Sequence, residues 1–203
     1  MGTKANRAAR NKAARGDSSS LGKSVLRWVI DIAIAVLIAY LITLVVRPTI
    51  VVETSMLPNF KQNDYLFIYK LAYSPDKGKL PEKGDVIVFE SDLKTEKGKN
   101  KLLIKRVIGL PGDVIDIENG EVRINGELDN QSYTNDGYTP GDVEDYTVPE
   151  GTLFCLGDNR VVSRDSRDSD VGPVDMDRLV GKVVFRVYRF SEFGRIKNPY
   201  DSE

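Results

Sequence analysis

Hydrophobic residues follow two different patterns along the chain. One continuous apolar run extends from Trp28 to Val46 and contains a single charged residue, Asp31. After Pro48 the apolar runs are short, and glycine, proline, asparagine and aspartate separate them, which is typical of β-strands joined by turns. The pattern therefore predicts an apolar helix near the start of the chain, followed by a β-rich region.

The apolar run is long enough to cross a membrane. As a helix, its 19 residues would span roughly 28 Å, close to the thickness of the hydrocarbon core of a bilayer. Apolar residues lie on every face of this helix, which favours lipid over the core of a soluble domain. A cleaved signal peptide is the other alternative, but the run is long for one, and Val45–Pro48 offers no small-x-small cleavage site. We predict an uncleaved transmembrane anchor over residues 28–46.

The charges that flank the anchor predict its orientation. Residues 1–47 carry eight Lys or Arg against two Asp, a net charge of +6, so the rest of the chain carries −7 of the total of −1. By the positive-inside rule, residues 1–27 form a basic cytoplasmic tail, and residues 47–203 form an extracytoplasmic domain of a single-pass cell-membrane protein. The acidic charge of that domain argues against a nucleic-acid partner.

The exported region is predicted to be mainly β. Candidate strands cover residues 65–72, 85–90, 102–109, 114–118, 121–125, 152–156 and 180–188. Asn119-Gly120 lies between two of them and indicates a two-residue hairpin, because both residues tolerate positive φ. Two stretches look like insertions: a charged surface loop at 91–101 and an acidic excursion at about 128–150. One hypothesis is that the excursion shapes access to a functional cleft.

Composition narrows the chemistry that the chain can perform. The sequence contains no histidine and one cysteine, Cys155, so the usual ligands of zinc, iron–sulfur and haem sites are missing. No loop has the pattern of a carboxylate metal site, and we expect no metal or other cofactor. A nucleophilic serine would need a base other than histidine, and a desolvated lysine is the obvious substitute.

Ser55 and Lys105 are the candidates for such a pair. Lys105 shares a predicted strand face with Leu103 and Val107, where desolvation would lower the pKa of its amine. Taken alone, a serine in a turn near Pro58 is more commonly an ordinary turn residue, and a strand lysine more commonly protects a sheet edge. Position alone does not decide between these interpretations.

Four sequence blocks carry a family resemblance. In chain order they are Ser55-Met56-Leu57-Pro58, Gly84-Asp85-Val86-Ile87-Val88-Phe89, Lys105-Arg106-Val107-Ile108-Gly109-Leu110-Pro111-Gly112-Asp113, and Gly157-Asp158-Asn159-Arg160 followed by Ser163, Asp165, Ser166 and Arg167. With these blocks the chain resembles the type I signal peptidases, Ser/Lys membrane proteases that remove signal peptides from exported proteins. Its single short anchor and compact insertion are similar to the Gram-positive members.

The resemblance implies a signal-peptidase-like antiparallel β-sheet or barrel and a role for each matching residue. Ser55 would be the nucleophile, with its backbone N–H as an oxyanion donor, and Lys105 would be the general base. Ser163 would hydrogen-bond the lysine amine and orient it. Asp165 and Arg167 would form a supporting salt bridge.

The resemblance also implies a pocket for small substrate residues at −1 and −3, the Ala-X-Ala pattern. Val51, Val88 and Ile104 match the positions that line it, and ordinary sheet core is the other interpretation of all three. One position departs from part of the family: some members have a hydroxyl donor two residues before the nucleophile, where this chain has Glu53. An ionised carboxylate cannot stabilise an oxyanion, so backbone donors or Thr54 would have to do so.

The expected partners are the signal peptides of exported preproteins and membrane lipid, with the export machinery left open. Two other functions remain as alternatives. A self-cleaving regulator also uses a Ser/Lys pair, but it needs a DNA-binding module, and the 24 polar residues before the anchor are too few. The other alternative is a catalytically silent, membrane-anchored binding or assembly protein on the same scaffold.

Overall fold

The structure is a computed structural model that describes the backbone of residues 3–74, 77–188 and 190–201. Within these ranges, side chains are described from residue 23 onward, except at residue 190. The chain divides into two compact units, one ending at Leu44 and the other beginning at Val45. Most of the predicted basic tail therefore lies outside the residues whose side chains are described.

The described part of the first unit is helical: helix α1 runs from Thr3 to Val45, the first residue of the second unit. Its part Lys23–Val45 is long and apolar enough to cross a membrane, and its side chains are exposed in the isolated chain. The predicted anchor marks only where the apolar side chains begin, whereas the helical backbone starts far earlier, because the preceding residues are rich in the helix formers alanine, lysine and arginine. The helix ends one residue before the predicted boundary, since Val46 begins a strand and pairs with Tyr69.

The second unit contains two antiparallel sheets. Its described strands are β1 (Val46–Ile50), β2 (Tyr65–Tyr69), β3 (Val86–Lys94), β4 (Asn100–Gly109), β5 (Val114–Glu118), β6 (Glu121–Ile124), β7 (Glu127–Leu128), β8 (Val143–Thr147), β9 (Thr152–Leu156), β10 (Val174–Asp175), β11 (Leu179–Tyr188) and β12 (Gly194–Arg195). The larger sheet has the order β1-β2-β11-β3-β4-β9-β10, with β12 paired to β11, and the smaller sheet has the order β7-β6-β5-β8. The predicted mainly β, antiparallel fold is confirmed.

Each of the seven predicted strands is present, with small differences at the ends. The hairpin is also confirmed, because Asn119 and Gly120 both have positive φ, 53° and 85°. The loop predicted at 91–101 is present but shorter, at residues 95–99, because β3 continues to Lys94 and β4 already begins at Asn100. Ser91 is buried and Leu93 is half-buried between exposed charged neighbours, so a strand pattern is present but masked by charge.

Strand β4 contributes to all three clusters of buried apolar side chains. Ile104 packs against the first cluster, which is formed by side chains from residues 51–60, β2, β3 and β11. Ile108 belongs to the second cluster, which joins the smaller sheet to β9. Leu103 and Val107 belong to the third cluster, between β3, β4 and β9. The core therefore covers both faces of the sheet at the middle of β4, so a side chain there is buried whichever face it lies on.

Candidate active site

Lys105 occupies one of the most enclosed positions in the described structure. It lies opposite Ile87 of β3, and its relative exposure is 1%. Its neighbours on the same face of β4, Leu103 and Val107, are buried in the third cluster. Apolar neighbours cannot replace the hydration that an ammonium group loses on burial. Burial therefore lowers the pKa of Lys105 below its ordinary value, and the charge of Asp165 opposes this shift without reversing it.

Ser55 is held against Lys105 by a short, well-anchored turn. Met56 and Phe60 follow it, both are 1% exposed in the first cluster, and the Phe60 N–H donates to the Met56 carbonyl at 2.8 Å. The Lys105 amine donates a hydrogen bond to Ser55 Oγ at 2.8 Å, although the two residues are 50 positions apart. This distance lies within the range required for proton transfer between a nucleophile and its base. The structure brings the two predicted residues together.

The loop that follows β9 holds the Ser55 turn through hydrogen bonds to the backbone of that turn. Asn159 donates to the Ser55 carbonyl at 2.9 Å through its N–H and to the Thr54 carbonyl at 3.2 Å through its side-chain amide. A Cβ atom at Gly157 would lie 2.5 Å from the Ser55 carbonyl oxygen and 2.2 Å from Ser163 Oγ. Both distances are far inside van der Waals contact. The close approach of the two segments therefore requires glycine at the start of the fourth sequence block.

An ion pair fixes the shape of the same loop. Asp165 is fully buried, and Arg167 donates to its two oxygens through Nε at 2.8 Å and Nη2 at 2.9 Å. The Gly157 N–H also donates to Asp165, at 3.0 Å. The remaining donors of Arg167 reach the carbonyl oxygens of Pro140 and Arg160, each at 2.7 Å. The salt bridge predicted between Asp165 and Arg167 is present.

Ser163 is the predicted site residue whose contact differs from the expectation. Its Oγ atom is buried and has no hydrogen-bond partner among the described residues. The predicted bond to the Lys105 amine is therefore not formed in this structure, in which that amine donates to Ser55. The Ser163 backbone is nonetheless fixed in the loop, since its N–H donates to the Asn159 carbonyl at 3.1 Å. A role of Ser163 in orienting the amine stays a prediction.

A cleft of about 420 Å³ opens beside Ser55, and the three predicted pocket residues line it. Val51 and Val88 are only 3% and 2% exposed and belong to the first cluster, and Ile104 packs against that cluster. Val88 and Ile104 also face each other across β3 and β4. These side chains are both sheet core and cleft wall, and their role in binding small substrate residues stays a prediction.

A second cleft, of about 640 Å³, also contains Ser55. Four residues line both clefts: Val52, Glu53, Ser55 and Lys101. Glu53 and Lys101 form an ion pair at this shared boundary. Among the residues with described side chains, no group of three or more acidic or cysteine residues is placed to hold a metal ion.

A buried ion pair that the sequence patterns did not single out links β4 to the same loop. Arg106, next to Lys105, donates to the two oxygens of Asp158 at 2.8 Å and 2.6 Å, and to the Gly84 carbonyl at 2.8 Å. The side chains of Arg106 and Asp158 are 2% and 1% exposed. The alternation of acidic and basic residues after Gly157 was the sequence signal that could have indicated a buried ion pair, but the same alternation is equally typical of solvated turns.

Arg160 is a second buried arginine that the sequence patterns missed, and its partners come from the excursion at 128–150. It donates to side-chain oxygens of Gln131 at 3.0 Å, Tyr133 at 3.0 Å and Thr139 at 2.5 Å. Its Nε donates to the Gly157 carbonyl at 3.1 Å. Arg160 therefore connects the excursion to the loop that holds Ser55.

The fold and the site together define a class of protein. A mainly β domain that follows an apolar helix places a serine hydroxyl, within hydrogen-bond distance of a desolvated lysine amine, at the boundary of two open clefts. This is the arrangement of a serine hydrolase that has lysine where the better-known members have histidine.

Comparisons with known proteins identify the family within this class. A family model described as "Signal peptidase, peptidase S26" matches residues 25–188. Signal peptidase IB of Staphylococcus aureus (strain COL) is 35% identical over 199 residues, covering 89% of this chain and 98% of the relative. Signal peptidase I of Bacillus licheniformis is 33% identical over 185 residues, covering 86% of this chain and 95% of the relative. The solved signal peptidase I of Enterococcus faecalis V583 is 32% identical and aligns with 52% of this chain and 97% of its own, with a TM-score of 0.42.

This chain belongs to the signal peptidase family, peptidase S26. It is accordingly a serine hydrolase, and its apolar N-terminal helix fits a membrane anchor.

Proposed function

We propose that this chain removes signal peptides from exported preproteins by cutting after small-X-small sites of the Ala-X-Ala type, with Ser55 and Lys105 as its catalytic dyad. The observation that carries the proposal is the 2.8 Å hydrogen bond between the Lys105 amine and Ser55 Oγ, beside an apolar cleft. The relatives reported above are themselves named signal peptidases, which supports the substrate class.

The dyad performs both halves of the hydrolysis. Neutral Lys105 takes the proton of Ser55 Oγ as that oxygen attacks the carbonyl carbon of the scissile bond. The protonated amine then returns the proton to the leaving amine of the mature protein, and an ester between Ser55 and the signal peptide remains. Water then attacks the ester while losing a proton to Lys105, and Lys105 returns that proton to Ser55 Oγ as the signal peptide leaves with a free carboxylate. The desolvation that lowers the pKa of Lys105 supports this mechanism, because only the neutral amine can accept a proton.

The oxyanion is stabilised by the backbone in this mechanism. None of the described residues accepts a hydrogen bond from the Ser55 N–H, so this donor is available to the developing negative charge. Glu53, two residues earlier, is ion-paired to Lys101 and contributes no donor. The Thr54 hydroxyl is the side-chain candidate nearest in sequence.

Specificity for small residues follows from the walls of the cleft. Val51, Val88 and Ile104 leave room for alanine and exclude larger side chains by steric conflict. The peptide binds as an extended strand beside these walls, so that alternate residues, −1 and −3, point into the same cleft. This alternation is the physical basis of a small-X-small requirement.

The enzyme acts at the outer face of the cell membrane, with residues 1–27 in the cytoplasm, residues 28–46 as the anchor and residues 47–203 as the catalytic domain. The excess of lysine and arginine before the anchor supports this orientation. Membrane lipid then surrounds the anchor, and preproteins arrive from the export machinery.

Cleavage of a preprotein with an Ala-X-Ala site by the detergent-solubilised protein tests the proposal, beside Ser55→Ala and Lys105→Met variants that keep the parental circular dichroism spectrum. We expect the parent to cut after the −1 alanine and both variants to be inactive. If Lys105→Met cleaves normally, the protein is an enzyme but the dyad is wrong. If the parent cuts nothing under conditions in which a known signal peptidase cuts the same preprotein, the silent binding-protein alternative is favoured.

A further inference from the structure

Glu53 and Lys101 form an ion pair beside the proposed dyad. Glu53 precedes Ser55 by two residues, Lys101 precedes Lys105 by four residues on β4, and their charged groups meet. Lys101 and Lys105 lie on the same face of β4, because side chains alternate along a strand. The segment that carries Ser55 and the strand that carries Lys105 are therefore joined by two side-chain links, one of them charged.

The ion pair stands where the two clefts of the site meet. Glu53 and Lys101 line both clefts, as Ser55 does. A peptide that lies extended past Ser55, with residues on both sides of the scissile bond, has to run from one cleft into the other. It therefore passes the point at which the two charged side chains meet.

The pair is much more exposed than the two buried ion pairs around the dyad, Arg106–Asp158 and Arg167–Asp165. The side chains of Glu53 and Lys101 are 42% and 37% exposed, whereas those of Arg106 and Asp158 are 2% and 1% exposed. Water and salt screen an exposed pair, and its long side chains hold one geometry only weakly. An entering peptide can therefore separate Glu53 from Lys101 at a small energetic cost, while the buried pairs stay intact.

We propose that Glu53 and Lys101 form a latch: their ion pair closes the passage past Ser55, and an extended substrate separates the two side chains as it binds. The latch rests on the proposed function, because it takes an extended peptide as the substrate. It gives a role to a carboxylate that cannot serve as an oxyanion donor.

The latch is tested by removing either charge, with Glu53→Gln and Lys101→Met, in the full-length protein in detergent at low salt. The probe is a peptide with an Ala-X-Ala site and only uncharged residues around it, so that no substrate charge replaces either partner. Each variant is expected to lower KM about two- to fivefold, the range that one exposed ion pair can supply. The same gain is expected in the Kd of the peptide when each change is combined with Ser55→Ala.

Three comparisons separate a latch from two independent charges. The double variant should match the single variants, because removing either partner already opens the latch. Rising salt should bring the KM of the parent toward that of the variants. The exchange of both charges, Glu53→Lys with Lys101→Glu, should restore the parental KM. Because Glu53 raises and Lys101 lowers the pKa of Lys105, each variant is measured on the pH-independent plateau of its own profile.

The matched control is Glu121→Gln, which removes a similarly exposed ion pair with Arg123 on β6 and should leave KM unchanged. Opposite changes of KM in the two single variants, or additive changes in the double variant, would overturn the latch, since each charge would then act on the substrate by itself. A parent that cleaves the peptide with the same KM as every variant would overturn the latch and leave the proposed function standing. A parent that cleaves nothing, or a Ser55→Ala variant that cleaves like the parent, would overturn both.

Discussion

Replacing Gly157 with alanine is the most direct test of how the loop after β9 positions Ser55, the proposed nucleophile. The added Cβ would lie 2.5 Å from the Ser55 carbonyl oxygen, where ordinary contact begins near 3.4 Å. The loop or the Ser55 backbone therefore has to move by about 0.9 Å to relieve this contact alone. Ser163, whose Oγ would lie 2.2 Å away, has to move as well. Because a displacement of about 1 Å in a reacting group lowers rates by on the order of 100-fold, we expect kcat/KM to fall by that factor.

The assay compares cleavage of an Ala-X-Ala preprotein with thermal unfolding of the same detergent-solubilised samples. Overpacking is expected to lower the free energy of unfolding of Gly157→Ala by about 1–3 kcal/mol. Gly109→Ala is the matched control, because its Cβ would meet the side chains of Ile115, Val148 and Phe154 at 2.8–3.2 Å, away from Ser55. This control should lose stability and keep most of its kcat/KM. Parental activity in folded Gly157→Ala, or an equal loss in Gly109→Ala, would refute the reasoning.

Four further predictions concern Lys105, Asp165 and Ile104. Activity should fall as pH falls through the lowered pKa of Lys105, and an acid limb of kcat/KM at or above the pKa of ordinary lysine would contradict this. At pH values between the lowered and the ordinary pKa of Lys105, the unfolded chain binds more protons than the folded chain. The free energy of unfolding should therefore rise with pH in that window. Urea titrations at several pH values measure this rise, which the Lys105→Met variant should lack. Asp165→Asn leaves Arg167 without its buried counter-charge and should destabilise the fold by about 3–5 kcal/mol in urea, a prediction that a loss under about 1 kcal/mol would exclude. Ile104→Ala should widen the cleft and raise, by about tenfold, the ratio of kcat/KM for valine over alanine at −1 or −3, whereas an unchanged ratio would remove Ile104 from the cleft wall.

The parts of the fold that could be predicted from sequence depend on local patterns. β5, β6 and their Asn119-Gly120 hairpin alternate apolar and polar residues next to a turn dipeptide, so a short window contains the whole signal. β1 lacks this alternating pattern, because Arg47 and Pro48 interrupt its apolar residues. Only its pairing with β2 makes the segment a strand. The second half of β3 alternates as well, but charge at its exposed positions makes the segment resemble a loop.

The site required more than local pattern. The apolar face around Lys105 is visible in sequence, yet it also fits an ordinary strand lysine, and Ser55 lies 50 positions away. The family resemblance supplied the pairing. The resemblance did not predict that Glu53 pairs with Lys101 or that Arg106 pairs with Asp158. Each of these pairs joins two segments that are far apart in the sequence, and no local pattern connects them.

The excursion at 128–150 is connected to the site through the loop after β9. None of the described residues that line the two clefts comes from it, which argues against the hypothesis that it shapes access. Instead it accepts hydrogen bonds from two arginines of the loop, Arg160 through three side chains and Arg167 through the Pro140 carbonyl. Those arginines fix the segment in which Asn159 holds the Ser55 carbonyl. We therefore expect the excursion to determine how rigidly Ser55 is held, because each link in this path is a hydrogen bond to a buried or half-buried group with few alternative partners.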